Sequence, residues 1–438
     1  MTIALAGCGS SSNETTNAGT AKKSTAPAAP TDEYKKFQSS YADVDQQNTR
    51  DAGSGLKAAN VAKLEEVWSR PVEGTGEGEG FLASPIVTDD IVFVQDLDSN
   101  VAALNLRDGK PYWEKRYDVP AAPPGGLTVS RGFQMVVGAT PTEAFGIDER
   151  SGKEVWSTPL ADAGSGTRVG MTPGYYNGLA YLATQPVGQA NAGGVLWGLD
   201  IRSGARRLRF EPSKKGAGLG RGLTGVPAFD FKGSVFMGSG NPGSSSVFKF
   251  DESNGKLEWN RPLAPAGAPS GTWDPVIVLR GGKKEVIVAS RSGKVVAMDR
   301  RAGSTLWQHL SGSEVVGPIA ANSGTVFVPT GDGGHGELQA LSVESGTLRW
   351  KQSFPVSLAG PVLLTNDVIF ATSADGRVYA FDAKSGKKLW SDKASSSAEG
   401  GLAIGGQTLL VRVGTPGSEP GPELIAYRLA GSGAGGRP

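Results

Sequence analysis

Short apolar runs recur along this chain, and each stops at the same kind of place. Val101-Ala102-Ala103-Leu104 runs into Asn105, and Val295-Val296-Ala297-Met298 runs into Asp299. After that polar residue come three variable positions, a Gly, three more variable positions and a Trp. The unit is clearest at Phe381-Asp382-Ala383-Lys384-Ser385-Gly386-Lys387-Lys388-Leu389-Trp390. Further copies are Asp148–Gly152–Trp156, Asp251–Gly255–Trp259 and Asp299–Gly303–Trp307. Asn105–Gly109–Trp113 and Ser342–Gly346–Trp350 change only the first residue, and Asp200–Gly204–Leu208 has lost the Trp. The polar position falls at 105, 148, 200, 251, 299, 342 and 382, a period of 40 to 52 residues. A period of that size marks a repeat architecture.

Each unit reads as a β-hairpin. The Asp carboxylate can accept from backbone N–H groups two or three residues on, and the Gly supplies the positive φ that closes the loop. The Trp then sits on the return strand. Two residues before the Asp position the side chain is tiny at Ala103, Gly146, Gly198, Ala297, Ala340 and Ala380, with Lys249 the exception. Small residues there are expected to let a neighbouring sheet approach, with the Trp filling the gap between sheets.

The repeats extend into a four-strand unit: an inner strand near a Gly/Ser-Pro, a second apolar strand, the strand into the Asp, and the Trp strand. Inner strands are expected near Ser84, Thr128, Thr172, Gly225, Asp274, Gly317, Gly360 and Gly401, which makes eight. The last unit lacks a Trp strand, and Trp68 stands upstream with no hairpin before it. The pattern therefore predicts an all-β, eight-bladed β-propeller of four-stranded antiparallel blades, closed by the strand near Trp68 pairing with the C-terminal blade.

Composition agrees with a turn-rich β chain: 64 of 438 residues are Gly. The net charge is +1, from 44 basic and 43 acidic residues without long runs, which gives no case for a nucleic-acid partner. The single Cys excludes an internal disulfide. It lies in Leu5-Ala6-Gly7-Cys8, which resembles a bacterial lipoprotein box with Cys8 as the lipidated residue. Residues 1–7 then read as a truncated signal-peptide remnant and 8–31 as a lipidated, disordered tether rich in Ser, Thr, Asn, Ala and Pro. Residues 32–63 read as an N-terminal extension packing on the propeller, with Asn60 the N-cap of one helical turn. The propeller is assigned to 64–430 and a frayed tail to 431–438. The expected location is extracytoplasmic, on a bacterial membrane through the lipid anchor.

With its repeated Asp, Gly and Trp, the chain resembles the quinoprotein-type, pyrroloquinoline-quinone-like repeat propellers over about residues 41–430. That family has two relevant branches. Lipid-anchored propellers similar to the B subunit of the outer-membrane β-barrel assembly machinery are non-catalytic scaffolds. Quinoprotein alcohol dehydrogenases bind pyrroloquinoline quinone and Ca²⁺ on the propeller axis. Leu56, Asn60, Val61 and Leu64 resemble the quinoprotein N-terminal signature in part, but Lys57 stands where that signature has Asn. The dehydrogenase branch implies a ring-stacking pair of adjacent cysteines, which one Cys cannot form.

No residue pattern here points to catalysis or to a metal site. His309 and His335 lie 26 apart without ligand spacing around them. His335 sits in a Gly-rich stretch that reads first as a hairpin loop and second as a cation or phosphate site. Asp96-x-Asp98-x-Asn100 reads as a hairpin tip. The binding candidates are the residues just before the inner strands, at the channel mouth: Glu79, Arg168, Arg221, Trp273, Asp274, Glu314 and Glu399. Arg168, Arg221 and Trp273-Asp274 fall in consecutive units and offer bidentate donors beside a stacking face, which suits an anion or a sugar. Charged residues solvating a rim are the plainer reading. Gln185 to Gly194 and Pro212 to Gly222 are long insertions that could present a partner edge. The favoured expectation is a monomeric, lipid-anchored scaffold binding envelope or cell-surface proteins, without cofactor. The alternatives are a quinone-dependent alcohol or sugar dehydrogenase and a small-ligand-binding propeller.

Overall fold

A computed structural model describes residues 38–39, 54–71, 83–120, 125–161, 166–187, 194–211, 223–230, 232–239, 245–263, 271–394, 401–414 and 421–431. Blade 1 shows the plan: Ile86–Thr88 innermost, then Ile91–Gln95, Val101–Asn105 and Pro111–Lys115 outermost, all antiparallel. Seven further blades repeat it, and in blades 2 to 7 the third strand ends at the repeat polar residue. Blade 8 takes Leu402–Gly405, Thr408–Val413 and Glu423–Leu429 from the C-terminal end. Its outer strand is Leu64–Pro71, with Ser69 opposite Ile425 and Trp68 opposite Ala426. The ring closes where the unpaired Trp68 predicted. A two-residue strand, Gln38–Ser39, adds to the inner edge of blade 2 at Val129 and Thr128.

The core lies between blades as well as within them. Eight apolar clusters each bridge two neighbouring blades. The cluster of Val94, Leu104 and Leu106 with Leu410, Leu424 and Ala426 joins blade 1 to blade 8. This is the expected way to bury both faces of a small twisted sheet.

The hairpin chemistry is as expected. Asp148 Oδ1 accepts from Ser151 N at 2.8 Å and from its hydroxyl at 2.6 Å, and Asp382 does the same with Ser385. The hairpin glycines have φ from 65° to 74°.

The reason for the tiny residues differs from the expectation. Five of the six stand directly across from the Trp of their own blade, as Ala103 from Trp113, Gly146 from Trp156 and Ala380 from Trp390, and Gly198 stands across from Leu208. A Cβ on Gly146 would lie 2.3 Å from the Trp156 ring. The small side chain therefore makes room for the indole within one sheet. Lys249 meets the same demand differently: its stem is buried and its Nζ reaches Glu258.

The indole then crosses to the next blade, as the gap-filling expectation had it. Trp113 packs on Gly152, Trp156 on Gly204, Trp307 on Gly346 and Trp350 on Gly386. Trp68 packs on Gly109 and Trp259 on Gly303. Each of these rings also donates its Nε1–H to the carbonyl just after the next blade's polar position, as Trp156 does to Ile201 at 3.0 Å and Trp307 to Val343 at 2.7 Å. Gly255 follows the unit that lost its Trp and meets no indole. There Phe210 stacks on Phe250 with centroids 4.7 Å apart.

Residues 54–63 lie against blades 7 and 8. Leu56 and Val61 are fully buried there, and Asn366 Nδ2 donates to Leu56 O at 2.8 Å. Asn60 precedes a 3-10 turn, Val61–Lys63, but does not cap it. Its side chain folds back, accepting from Lys57 N and donating to Gly55 O.

Candidate functional site

The mouth of the ring is the face where inner strands begin and where second strands turn into third strands. Four of the sequence candidates lie among the described residues there. Cys8, Glu79, Arg221 and Glu399 lie outside them, as do residues 188–193 and 212–222 of the two insertions.

Trp273 and Glu314 come together through a residue that the sequence reading missed. Trp273, ahead of the inner strand of blade 5 (Val276–Arg280), donates Nε1–H to Val315 O of blade 6 at 2.7 Å. Arg291, in the turn between Lys283–Ala289 and Lys294–Asp299, lies over the Trp273 ring at 4.4 Å. Glu314 begins blade 6 and attracts that guanidinium electrostatically. The result is an exposed cation held on an aromatic face at the blade 5–6 boundary. Arg291 was not legible because its unit carries it in a turn, two strands away in sequence from the residues it covers.

Asp274 plays a different part. It is 3 % exposed, and its Oδ1 accepts from Val226 N of blade 4 at 2.7 Å. That bond ties two inner strands together. Arg168 is half-buried on Thr167–Val169 of blade 3, across from Gln185. Blade 4 separates it from Trp273, so these residues lie on different blades of one mouth.

The histidines and the acidic loop are engaged in blade and turn contacts. His309 Nε2 meets Gln339 Oε1 of blade 6 at 3.0 Å. His335 closes a turn in which its N–H donates to Asp332 Oδ1 at 2.7 Å. Asp96 accepts from the N–H groups of Asp98 and Asn100, as a hairpin tip should. Burial, more than these bonds can offset, raises the Asp96 carboxyl above its ordinary value. Among the described residues no three His, Cys, Asp or Glu side chains converge in a way that could hold a metal ion.

Pyrroloquinoline quinone would need a planar stacking face and Ca²⁺ an oxygen set on the axis. Arg291 covers one face of Trp273, and Asp274 directs an oxygen at a neighbouring strand.

The rim of the ring shows a second pattern. The position before the Trp on the outer strands is apolar and open to solvent at Val67, Tyr112, Val155 and Leu306. Leu310 and Leu348 add to it on blades 5 and 6. Among the described residues no helix is long and apolar enough to cross a membrane.

Comparisons with known proteins agree with this architecture. A family model described as outer membrane protein assembly factor BamB matches residues 48–172, 121–308 and 291–429. The polyvinylalcohol dehydrogenase of Pseudomonas sp is 26% identical over 345 residues, 64% of this chain and 52% of that protein. The assembly factor BamB of Salmonella typhimurium is 24% identical over 56% of this chain and 61% of its own length. The chain thus spans about half to three-fifths of these relatives. Among solved structures, the quinohemoprotein alcohol dehydrogenase of Comamonas testosteroni superposes with a TM-score of 0.74 at 17% identity, over 92% of this chain and 82% of that one. BamB of Moraxella catarrhalis gives 0.60 at 16% identity, over 83% and 99%. At such identities the superpositions show the shared fold.

Proposed function

We propose a scaffold role for this chain, which belongs to the family described as outer membrane protein assembly factor BamB. In this reading it is an extracytoplasmic propeller, lipid-anchored through Cys8, that binds other envelope proteins and has no catalytic centre. The observation that carries the reading is the rim. Tyr112 is 51 %, Val155 54 % and Leu310 71 % exposed, on outer strands whose far edges have no partner strand among the described residues. Apolar side chains beside open strand edges suit a protein partner that covers them or adds a strand. The interlock of Trp and Gly keeps that rim rigid, so docking costs little ordering.

Affinity capture from envelope extracts with the lipidated protein tests this. Tyr112→Asp and Leu310→Asp should each cut recovery of a specific partner several-fold without moving the thermal midpoint. Recovery unchanged by both would remove the rim from the reading.

A second reading follows from the dehydrogenase relatives. Under it, the chain with added pyrroloquinoline quinone and Ca²⁺ would reduce a dye acceptor when given an alcohol or sugar. Substrate-dependent dye reduction would displace the scaffold proposal. The third, a small-ligand propeller using Arg168, Arg221 and Trp273, predicts Trp quenching by a sugar or anion that Arg168→Ala and Arg221→Ala abolish.

A further inference from the structure

A cleft of about 450 Å³ opens at the seam between blades 8 and 1, but the arginines lining it are paired, Arg70 with Glu114 and Arg116 with Asp118. Unpaired charge collects one boundary away, where blade 7 meets blade 8 on the face opposite the mouth. On that face inner strands turn into second strands, and third strands turn into outer ones. Blade 7 runs Leu358–Thr365, Val368–Ser373, Arg377–Asp382 and Lys388–Lys393. Its hairpin after Asp382 and the start of its outer strand therefore lie there.

Two distant parts of the chain bring lysines to this face. Lys384, Lys387 and Lys388 come from the hairpin and outer strand of blade 7, and all three are exposed. Lys57 and Lys63, also exposed, come from the segment laid over blades 7 and 8. That segment is pinned to the same face: Gly55 N donates to Gly406 O and Ala58 N to Asp367 Oδ1, both in turns between inner and second strands. Val61–Lys63 packs on Lys388–Lys393, and Trp390 donates Nε1–H to Leu64 O at 3.2 Å. Among the described residues no carboxylate lies within salt-bridge distance of any of these lysines. Asp382 attracts Lys384 electrostatically, but its Oδ1 already accepts from Ser385. Asp367 is taken up by Ala58 N. Glu65 and Glu66 begin the climb of the outer strand of blade 8, where Glu65 stands across from Arg428. The face keeps an excess of positive charge. The strand upstream of it points the same way, because Gln38 pairs with Val129 and Ser39 with Thr128, which turns the Cys8 side of that strand away from the mouth.

We propose that this blade 7–8 face binds an anionic lipid surface and is the edge that the molecule turns to the membrane. Lys is a compact point charge that suits a spread of headgroups, whereas a single bound anion is better held by the fork of an Arg. A lipid anchor joined by a basic patch holds a protein at a bilayer more firmly than either alone. The orientation rests on the Cys8 anchor of the scaffold reading, while the patch itself does not.

The test uses the full chain with Cys8→Ser, so that lipidation plays no part, and vesicles of phosphatidylcholine alone or mixed in equal parts with phosphatidylglycerol. Co-sedimentation at low salt should be at least about tenfold stronger on the mixed vesicles and should fall away at about 0.5 M salt, as screening shortens the reach of the charges. Lys387→Glu with Lys388→Glu should weaken it about tenfold or more, and so should Lys57→Glu with Lys63→Glu. Lys232→Glu with Lys256→Glu makes the same change of net charge on blade 4, across the ring, and should stay within about twofold of the parent. All three variants should keep the parent's thermal midpoint. Equal sedimentation on both vesicles, none on either, or an equal loss in the blade 4 variant would each overturn the proposal. Retention on polyglutamate without sedimentation on mixed vesicles would overturn it too, in favour of an acidic protein partner. Mass spectrometry of Cys8 in the chain without that substitution reads the anchor separately, so the patch and the anchor fail independently.

Discussion

Trp156 is nine-tenths buried, stands across from Gly146, covers Gly204 and donates to Ile201 O. Its replacement by Ala removes packing in two blades at once and should cost about 3–5 kcal/mol in urea unfolding. Gly204→Ala attacks the same contact from the other side. A Cβ there would lie 2.5 Å from the indole at a φ of 67°, so strain and overlap should together cost about 1–3 kcal/mol. The two substitutions share one contact, so the double variant should lose less than the sum. At Asp148, Asp251 and Asp382, bonds from Ser151, Ser253 and Ser385 hold the carboxyls below the ordinary range. A carboxylate more acidic when folded contributes stability that is fully present above its unfolded value of about 3.9 and is lost as pH falls through its lower folded value. Ser151→Ala with Ser385→Ala should therefore be less stable than the parent at neutral pH, and that gap should narrow as the pH falls below the unfolded carboxyl value. Urea midpoints across an acid titration check it.

At the scale of elements, the hairpin was legible and its docking was not. Asp, Gly and Trp at fixed spacing act within one loop, so their roles follow from local turn chemistry. The small residue before the Asp was read as serving the neighbouring sheet. A bulge beside the Trp instead aligns it with the ring of its own blade. Strand register decides that alignment, and register is set by pairing rather than by spacing along the chain. The seam is the element whose failure should be felt most widely. Ser69→Pro removes a donor from the strand that pairs with Glu423–Leu429. Amide exchange should then rise at Ile425 to Tyr427 and at the Leu106 turn on which Trp68 rests. Exchange confined to residues 64–71 would show that ring closure does not depend on that strand.

At the scale of the molecule, closure of eight blades presents two different surfaces, the rim and the seam. The rim repeats in part, so Val67, Tyr112, Val155 and Leu306 could be found as the residue before a Trp once the outer strand was known. The seam does not repeat. Arg70 lies on the outer strand of blade 8, Arg116 just past the outer strand of blade 1, and Arg412 on a second strand at the other end of the chain. No local motif joins them.

The sequence by itself determined the repeat, the number of blades, the strand that closes them and the structural duty of Asp, Gly and Trp, because each rests on contacts within a few residues or on a count. Tertiary structure alone decided which blade each Trp enters, that Asp274 ties strands while Arg291 joins Trp273, and that a cleft forms at the seam. Those outcomes depend on side chains meeting across blades, and a periodic sequence does not record the distance between two residues that belong to different periods.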